Sequence, residues 1–441
     1  MINKFILNEM SDSDKNRIMQ RAQADYSRVE PIVRIIIDEV RQGGDSAIVD
    51  ITKRIDKIDL EVDALKVSKE EFEIAEKEIS PELKKYLEDA FKNINLHHKE
   101  QLPQKSWQQE NVPGVIVGEK TTPIMSVGLY VPRGKGSFPS VMLMLCTPAV
   151  IAGVPDIYVC TPPGPDGSID AASLVAARIC GIENVYKVGG AQAMAALAYG
   201  TQTIPKVDKI VGPGNQYVSC AKRLVYGIVD PGLPAGPSES IVLCDETADP
   251  EIVAREWLNE AEHGPDSAAL LVTNSIELIG KVEKIVPGLI AQLTQERRNF
   301  IETGLSTYGG IIICSDFEAG IDFVNEYAPE HLRIISKNET EDMDKIINAG
   351  EILVGSYSSI SYGNFAIGLN AILPTGGTAR RDSCVGVETF LKRSSFSIVS
   401  AQGAVIISPI AEALAQWEGF PGHKESARFA RIKAEKELID E

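Results

Sequence analysis

The sequence predicts an α/β protein: two blocks of parallel sheet covered by helices, preceded by a helical N-terminal region and followed by a helical tail. Three observations lead there. Charge-rich segments at helical spacing fill residues 1 to about 110. From about Gly114, short β-branched runs alternate with Ala-rich stretches, and after about Val387 the helical texture returns.

In order along the chain, Pro31 to Arg41 carries Ile32, Val33, Ile35, Ile36 and Val40 at helical spacing, and Arg41-Gln42-Gly43-Gly44-Asp45 reads as a helix stop followed by an N-cap. Glu70 to Leu96 repeats Phe72, Ile74, Ile79, Leu83, Leu87 and Phe91 between charges. Strands are expected at Ile124 to Val131, Asp156 to Cys160, Asn184 to Val188 and Lys209 to Val211. Further strands are expected at Ser240 to Leu243, Ala268 to Thr273, Gly310 to Ser315 and Leu332 to Ser336. Helices are expected between them, as at Ala171 to Ile179 and Ala191 to Tyr199. Such alternation is the pattern of βα crossovers, and the Pro- and Gly-rich Asp230 to Pro237 divides it into two blocks.

Composition narrows the class. At 441 residues, 44% apolar and 24% charged, the chain has material for more than one core. A formal charge of -18 argues against nucleic acid or an anionic membrane, which need concentrated Lys and Arg. The longest apolar stretch, about Val141 to Val154, contains Pro148 and is too short to span a bilayer. The seven cysteines include no C-x-x-C pair and mostly sit in apolar runs, so they read as buried thiols in a reducing compartment. With no signal-peptide pattern after Met1-Ile2-Asn3-Lys4, the expected location is cytoplasmic.

Three loops after expected strands are rich in glycine: Val131-Pro132-Arg133-Gly134-Lys135-Gly136, Val188-Gly189-Gly190-Ala191-Gln192 and Val211-Gly212-Pro213-Gly214-Asn215. Glycine at a strand-to-helix turn lets backbone amides approach a phosphate. None completes G-x-G-x-x-G, and each alone reads first as a turn.

Of five histidines, His97 and His98 lie in a polar helical region where solvent exposure is the default. Glu260 and His263 are three apart, share a helix face and can converge on a metal, although a surface charge cluster fits the segment equally well. Glu330-His331 feeds the apolar run Leu332-Arg333-Ile334-Ile335; an imidazole there is a natural proton acceptor, with a carboxylate beside it. His423 lies in the loop Glu418-Gly419-Phe420-Pro421-Gly422-His423, which by itself reads as exposed.

Together these segments resemble the histidinol dehydrogenase family over nearly the whole chain. The markers are Gly128-Leu129-Tyr130-Val131-Pro132, Val188-Gly189-Gly190-Ala191-Gln192-Ala193 and Pro205 to Asn215. Pro234-Ala235-Gly236-Pro237-Ser238-Glu239, Ala261 to Ser267, Pro329-Glu330-His331-Leu332 and Leu373-Pro374-Thr375 follow in the family's order. The resemblance implies two incomplete Rossmann-like domains and a domain-swapped homodimer whose tail completes the partner's site. It implies NAD contacts at Tyr130, Gln192 and Asn215, and substrate contacts at Ser238, Glu418 and His331. It also implies Zn2+ at the positions of Glu260, His263, Asn364 and His423, with Glu330 and His331 as the acid-base pair. The corresponding organisation is a helical region 1–114 packing on the second block, domains 115–237 and 238–386, and a helical tail 387–441 reaching the partner subunit.

Two departures bear on function. The family's zinc ligands are Gln, His, Asp and His, so Glu260 and Asn364 exchange an amide for a carboxylate and a carboxylate for an amide. The formal ligand charge is unchanged, which favours a rearranged zinc site over a metal-free fold. Ala371 stands where the family places a histidine near the reacting carbon, and Arg133, Lys135, Arg380 and Arg381 add cationic candidates for an anionic group. The expected reaction is NAD-linked oxidation of a small polar alcohol, with L-histidinol to L-histidine as the family default and an anionic diol or hydroxy acid as the paralogue alternative. A catalytically silent metal-binding homologue is disfavoured by the retained Tyr130, Gln192, Asn215, Glu330 and His331. A zinc hydrolase without NAD would leave the glycine loops unexplained.

Overall fold

The structure, a computed structural model, describes residues 2–22, 26–133 and 136–440. The chain opens on β1 (Lys4–Ile6), runs through helices as far as Lys99, and forms β2 (Ser106–Val112) and β3 (Val115–Pro123). Then β4 (Ser126–Tyr130), β5 (Asp156–Thr161), β6 (Val185–Lys187) and β7 (Lys209–Val211) alternate with helices. A second series follows: β8 (Glu239–Cys244), β9 (Ala268–Thr273), β10 (Gly310–Ile313), β11 (His331–Ile335) and β12 (Glu351–Val354). Last come β13 (Leu391–Val399) and the helices Ala401–Trp417 and Pro421–Asp440.

The chain divides into two compact units, one from Met1–Gln101 with Met125–Phe390 and the other from Leu102–Ile124 with Leu391–Glu441. The first holds two parallel sheets. One is four-stranded, ordered β6-β5-β4-β7, and the other six-stranded, ordered β1-β10-β9-β8-β11-β12. Each is Rossmann-like in that strand order runs one way and then reverses, between β4 and β7 in one sheet and between β8 and β11 in the other. The second unit is an antiparallel sheet, ordered β13-β3-β2, together with a hairpin of the two last helices.

Side chains alternate across a strand, so a sheet covered on both faces needs apolar residues at every position. β8 shows this: Val242 and Cys244 enter one core with Trp257, Leu271 and Ile311, while Ile241 and Leu243 enter another with Leu270, Val324 and Leu332. The four-stranded sheet is covered by the Ala-rich helix Gly190–Tyr199, whose Ala193, Ala195, Ala196 and Ala198 are buried. Small side chains let the helix Glu30–Gly43 approach, with Val33, Ile36, Ile37 and Val40 in the same core.

Several sequence expectations are revised. The N-terminal helices, expected on the second block, pack mainly on the first: Glu30–Gly43 on Gly190–Tyr199 and Gln216–Leu224, Lys69–Glu78 on Ala171–Ile179, and Pro81–Lys99 on Pro139–Ala152. The segment before them does join the second block: β1 lies at the edge of the six-stranded sheet, and Ile18 and Arg21 are buried against its residues. Ile32 and Ile35 face outward, and Ile37 takes the buried position beside Ile36. The single periodic run from Glu70 to Leu96 is two helices, because Ser80 caps a new one that starts at Pro81. Gly44, at φ 58, rather than Asp45 is the N-cap of the helix Asp45–Ile51. The tail begins with a strand, β13, before its helices. Among the described residues no helix is long and apolar enough to cross a membrane.

Candidate active site

Glu239, His331 and Glu351 open three adjacent strands, β8, β11 and β12, at the amino ends of the six-stranded sheet. His331 has Ser240 as its register partner on one side and Glu351 on the other. The site therefore sits where the strand order reverses, at the opposite end from the carboxyl edge that usually serves as the ligand crevice of such sheets.

His331 is 3% exposed and lies among four buried carboxylates, Glu239, Glu260, Glu330 and Glu351. Its Nδ1 is 2.8 Å from Glu351 Oε2. Burial lowers the imidazole pKa, but the charges of Glu260, Glu330 and Glu351 and the bond to Glu351 outweigh it and raise it to about 10. Glu330 Oε2 accepts from the Glu239 backbone N–H at 2.8 Å. Burial, reinforced by Glu260 and Glu239, pushes the Glu330 carboxyl well above the usual range despite His331. Glu239 is raised by burial too, opposed by the Arg21 guanidinium, whose Nε lies 3.3 Å from its Oε2. Arg21 in turn stacks over the Tyr327 ring at 3.6 Å. An imidazole and a carboxyl, both with raised pKa values, thus stand side by side, a pairing suited to acid-base chemistry.

Glu260 begins a 3₁₀ turn, Glu260–Glu262, that brings His263 round to its carboxylate, Nδ1 to Oε2 3.2 Å. Asn364, from the short helix Ile360–Phe365, donates Nδ2 to Glu260 Oε1 at 2.9 Å. Burial raises the Glu260 carboxyl, yet His263, His331 and hydrogen bonds from Asn364 and Ser238 bring it below its ordinary value. Asn364 Oδ1 is buried without a hydrogen-bond partner. An unpaired amide oxygen beside a carboxylate and an imidazole can accept a cation, so this set fits zinc in ligand type. No cluster of three His, Cys, Asp or Glu at metal spacing occurs among the described residues; the third ligand type beside Glu260 and His263 is the Asn364 amide oxygen. Ser238, Glu260, His263, Asn364, Glu330 and His331 are therefore gathered in one unit. Glu418 and His423 belong to the second unit: Glu418 caps the helix Ala401–Trp417, and His423 lies 5.4 Å, ring to ring, from Phe420.

The three glycine loops leave the carboxyl ends of β4, β6 and β7, on both sides of the strand-order reversal between β4 and β7. The buried Tyr130 hydroxyl accepts from the Gly190 N–H at 3.1 Å and so ties two loops together. Gly212, at φ 138, would bring a Cβ within 2.1 Å of the Tyr130 carbonyl, so only glycine fits. Gln192 is 2% exposed and donates to Asp56 at 3.3 Å. Asn215 is the N-cap of the helix Gln216–Leu224, its Oδ1 accepting from Tyr217 N and Val218 N. Glycine at these strand-to-helix turns leaves backbone amides free to approach a phosphate. Lys135 and Gly134 lie outside the described residues, and Arg133 reaches toward the Ser168 carbonyl at 3.4 Å. Arg380 donates to the Glu326 carbonyl and Arg381 lies 3.2 Å from Asp382.

His98, expected in solvent, is fully buried, whereas His97 is exposed. Its Nδ1 bonds the Ile94 carbonyl at 2.8 Å and its Nε2 accepts from Asn370 at 3.2 Å; burial lowers its pKa. Asn370 also donates to the Met144 carbonyl, and next to it is Ala371. The sequence reading missed Arg21, Glu239 and Glu351. The only signal for Glu351 was a lone acid opening an apolar run, Glu351-Ile352-Leu353-Val354.

A family model described as histidinol dehydrogenase matches residues 19–431. The chain is similar to the histidinol dehydrogenase of Synechocystis sp., 46% identical over 95% of this chain and 96% of that protein. It is also similar to a histidinol dehydrogenase homolog of Cereibacter sphaeroides, 45% identical over 96% of each. The crystal structure of histidinol dehydrogenase from Elizabethkingia anophelis superposes with a TM-score of 0.92 at 35% identity, covering 99% of both chains.

Proposed function

The chain belongs to the histidinol dehydrogenase family, oxidoreductases acting on CH–OH groups, and from that premise we propose that it oxidises a small polar alcohol with NAD at a zinc-bearing site. L-histidinol, carried in two steps to L-histidine, is the first candidate substrate. The carrying observation is the carboxylate nest around His331, with Nδ1 held by Glu351.

With Nδ1 occupied, Nε2 is the nitrogen left to take the hydroxyl proton. Glu330, whose carboxyl burial pushes up, exchanges protons beside it, and in its ionised form it would take a proton from water when an aldehyde goes on to the acid. Glu260, His263 and Asn364 would hold zinc, joined by His423, and Tyr130, Gln192 and Asn215 would line the NAD crevice. Zinc held there would supply positive charge that offsets the Glu260 carboxylate raising the His331 pKa, and NAD would be the hydride acceptor. Ser238, already bonded to Glu260, and Glu418 are the proposed substrate contacts. We further propose a domain-swapped homodimer in which Glu418 and His423 complete a partner's site.

Ala371 favours a second reading. A methyl group at that position can neither hydrogen-bond nor carry a proton, so the polar end of the substrate need not be an imidazole. NADH formation by zinc-loaded protein, measured with histidinol and with a panel of neutral and anionic diols, separates the two. Two NADH per histidinol establishes the default; turnover of another alcohol alone assigns a paralogue; no NADH from any alcohol overturns the oxidation reading.

A further inference from the structure

We infer that Glu351 is the positioning residue of the His331 base, an assignment that rests on the proposed dehydrogenase reading for its kinetic consequence but not for its geometry. Parallel pairing of β11 and β12 makes His331 and Glu351 register partners, so their side chains leave the same face of the sheet side by side. The result is a 2.8 Å contact between Nδ1 and Oε2, with both side chains 4% exposed. Two features single out this pairing. His331 is its one hydrogen-bonded side-chain partner among the described residues, and its other oxygen, Oε1, is buried and unpaired. Gly363 keeps room for that oxygen, since a Cβ there would lie 2.5 Å from Oε1.

A buried carboxylate is costly unless it is paired, and an apolar residue would serve β12 better as packing. What Glu351 provides is direction. Accepting the Nδ1 proton sets the ring plane, fixes the Nδ1–H tautomer when the imidazole is neutral, and leaves Nε2 to face the reacting hydroxyl. When Nε2 gains that proton, the adjacent carboxylate stabilises the cation without itself being protonated. Glu351 also lies on the far side of His331 from Ser240, so the ring is bracketed by the two neighbouring strands.

The test uses full-length zinc-loaded protein and the variants Glu351→Gln and Glu351→Ala. With the alcohol that the wild type oxidises, Glu351→Ala is expected to lose about 10–100-fold in kcat with KM within about threefold. Glu351→Gln, which still accepts the Nδ1 proton but carries no charge, should recover part of the loss. A kcat within twofold of wild type in both variants overturns the assignment, as does a raised KM at unchanged kcat, which would make Glu351 a substrate contact. An activity-independent readout accompanies this: in histidine-labelled protein the Nδ1 proton of His331, assigned by its loss in His331→Asn, should be strongly downfield in wild type and absent in Glu351→Ala. If no alcohol is oxidised, the dehydrogenase reading fails and this resonance alone decides the positioning; its persistence in Glu351→Ala overturns the inference.

Discussion

Asn364 donates its amide to Glu260 across 2.9 Å and leaves its own Oδ1 buried without a partner. The pair is a matched exchange: one side chain carries the charge and the other the amide. The double variant Glu260→Gln with Asn364→Asp keeps that balance and is expected to retain about one zinc per chain by elemental analysis. Glu260→Gln alone removes the carboxylate and should weaken zinc at least about tenfold. Equal zinc content in the single and double variants would remove these residues from the metal site.

His331→Asn takes away the proton acceptor without touching Glu260, His263 or Asn364. NADH formation should fall by about a hundredfold or more while zinc content stays at the wild-type level. Activity near wild type would mean that another group is the base.

Mixing two inactive chains tests whether sites are shared. His331→Asn and His423→Ala, co-expressed or refolded together, should recover part of the activity that neither has alone, because one of the two sites in a mixed dimer then has both histidines. A mixture as inactive as its components would confine each site to its own chain.

Lys222 offers a pH signature. Its ammonium donates to the Gly212 and Leu233 carbonyls, and burial lowers its pKa from 10.5 to about 8. Below pH 8 the folded chain holds a buried cation at a cost. Between 8 and 10.5 the unfolded chain binds the additional proton, so this group makes stability rise with pH, by on the order of 3 kcal/mol in all. Denaturation midpoints of Lys222→Met should lack that rise, apart from a constant offset for the two carbonyls left unbonded. Parallel pH profiles for the two proteins would contradict the burial argument.

Asn215→Ala removes the cap of the helix Gln216–Leu224. Thermal unfolding should show a loss of about 1 kcal/mol. The KM for NAD should rise as well if the capped turn lines the cofactor crevice. A stability loss with unchanged KM would leave Asn215 a structural cap only.

How far the fold was legible follows from the physics of each element. β9 and the helix Ala171–Ile179 were placed to the residue, because apolar runs between turn signals define doubly covered strands and their helices locally. β2 was not, since Ser-Trp-Gln-Gln-Glu-Asn-Val has no buried face to leave a period. β13, Leu-Lys-Arg-Ser-Ser-Phe-Ser-Ile-Val, exists through pairing with the distant β3. In the site, Glu330, His331, Glu260 and His263 were visible as short-range patterns. Arg21, Glu239 and Glu351 were not, because their meaning comes only from register and from burial. His98 was misjudged for the same reason: charged neighbours in sequence say nothing of an Asn370 arriving from 272 positions away.

The pairing of β3 has a consequence for biosynthesis. β3 is flanked by β2, made just before it, and by β13, which leaves the ribosome more than half a chain later. At ordinary translation speeds that interval is on the order of tens of seconds. During it one edge of the nascent hairpin offers unsatisfied amides and carbonyls to any passing strand. Glu119 and Lys120 along β3 place charge on that edge while it waits, as a guard for a strand born without its neighbour.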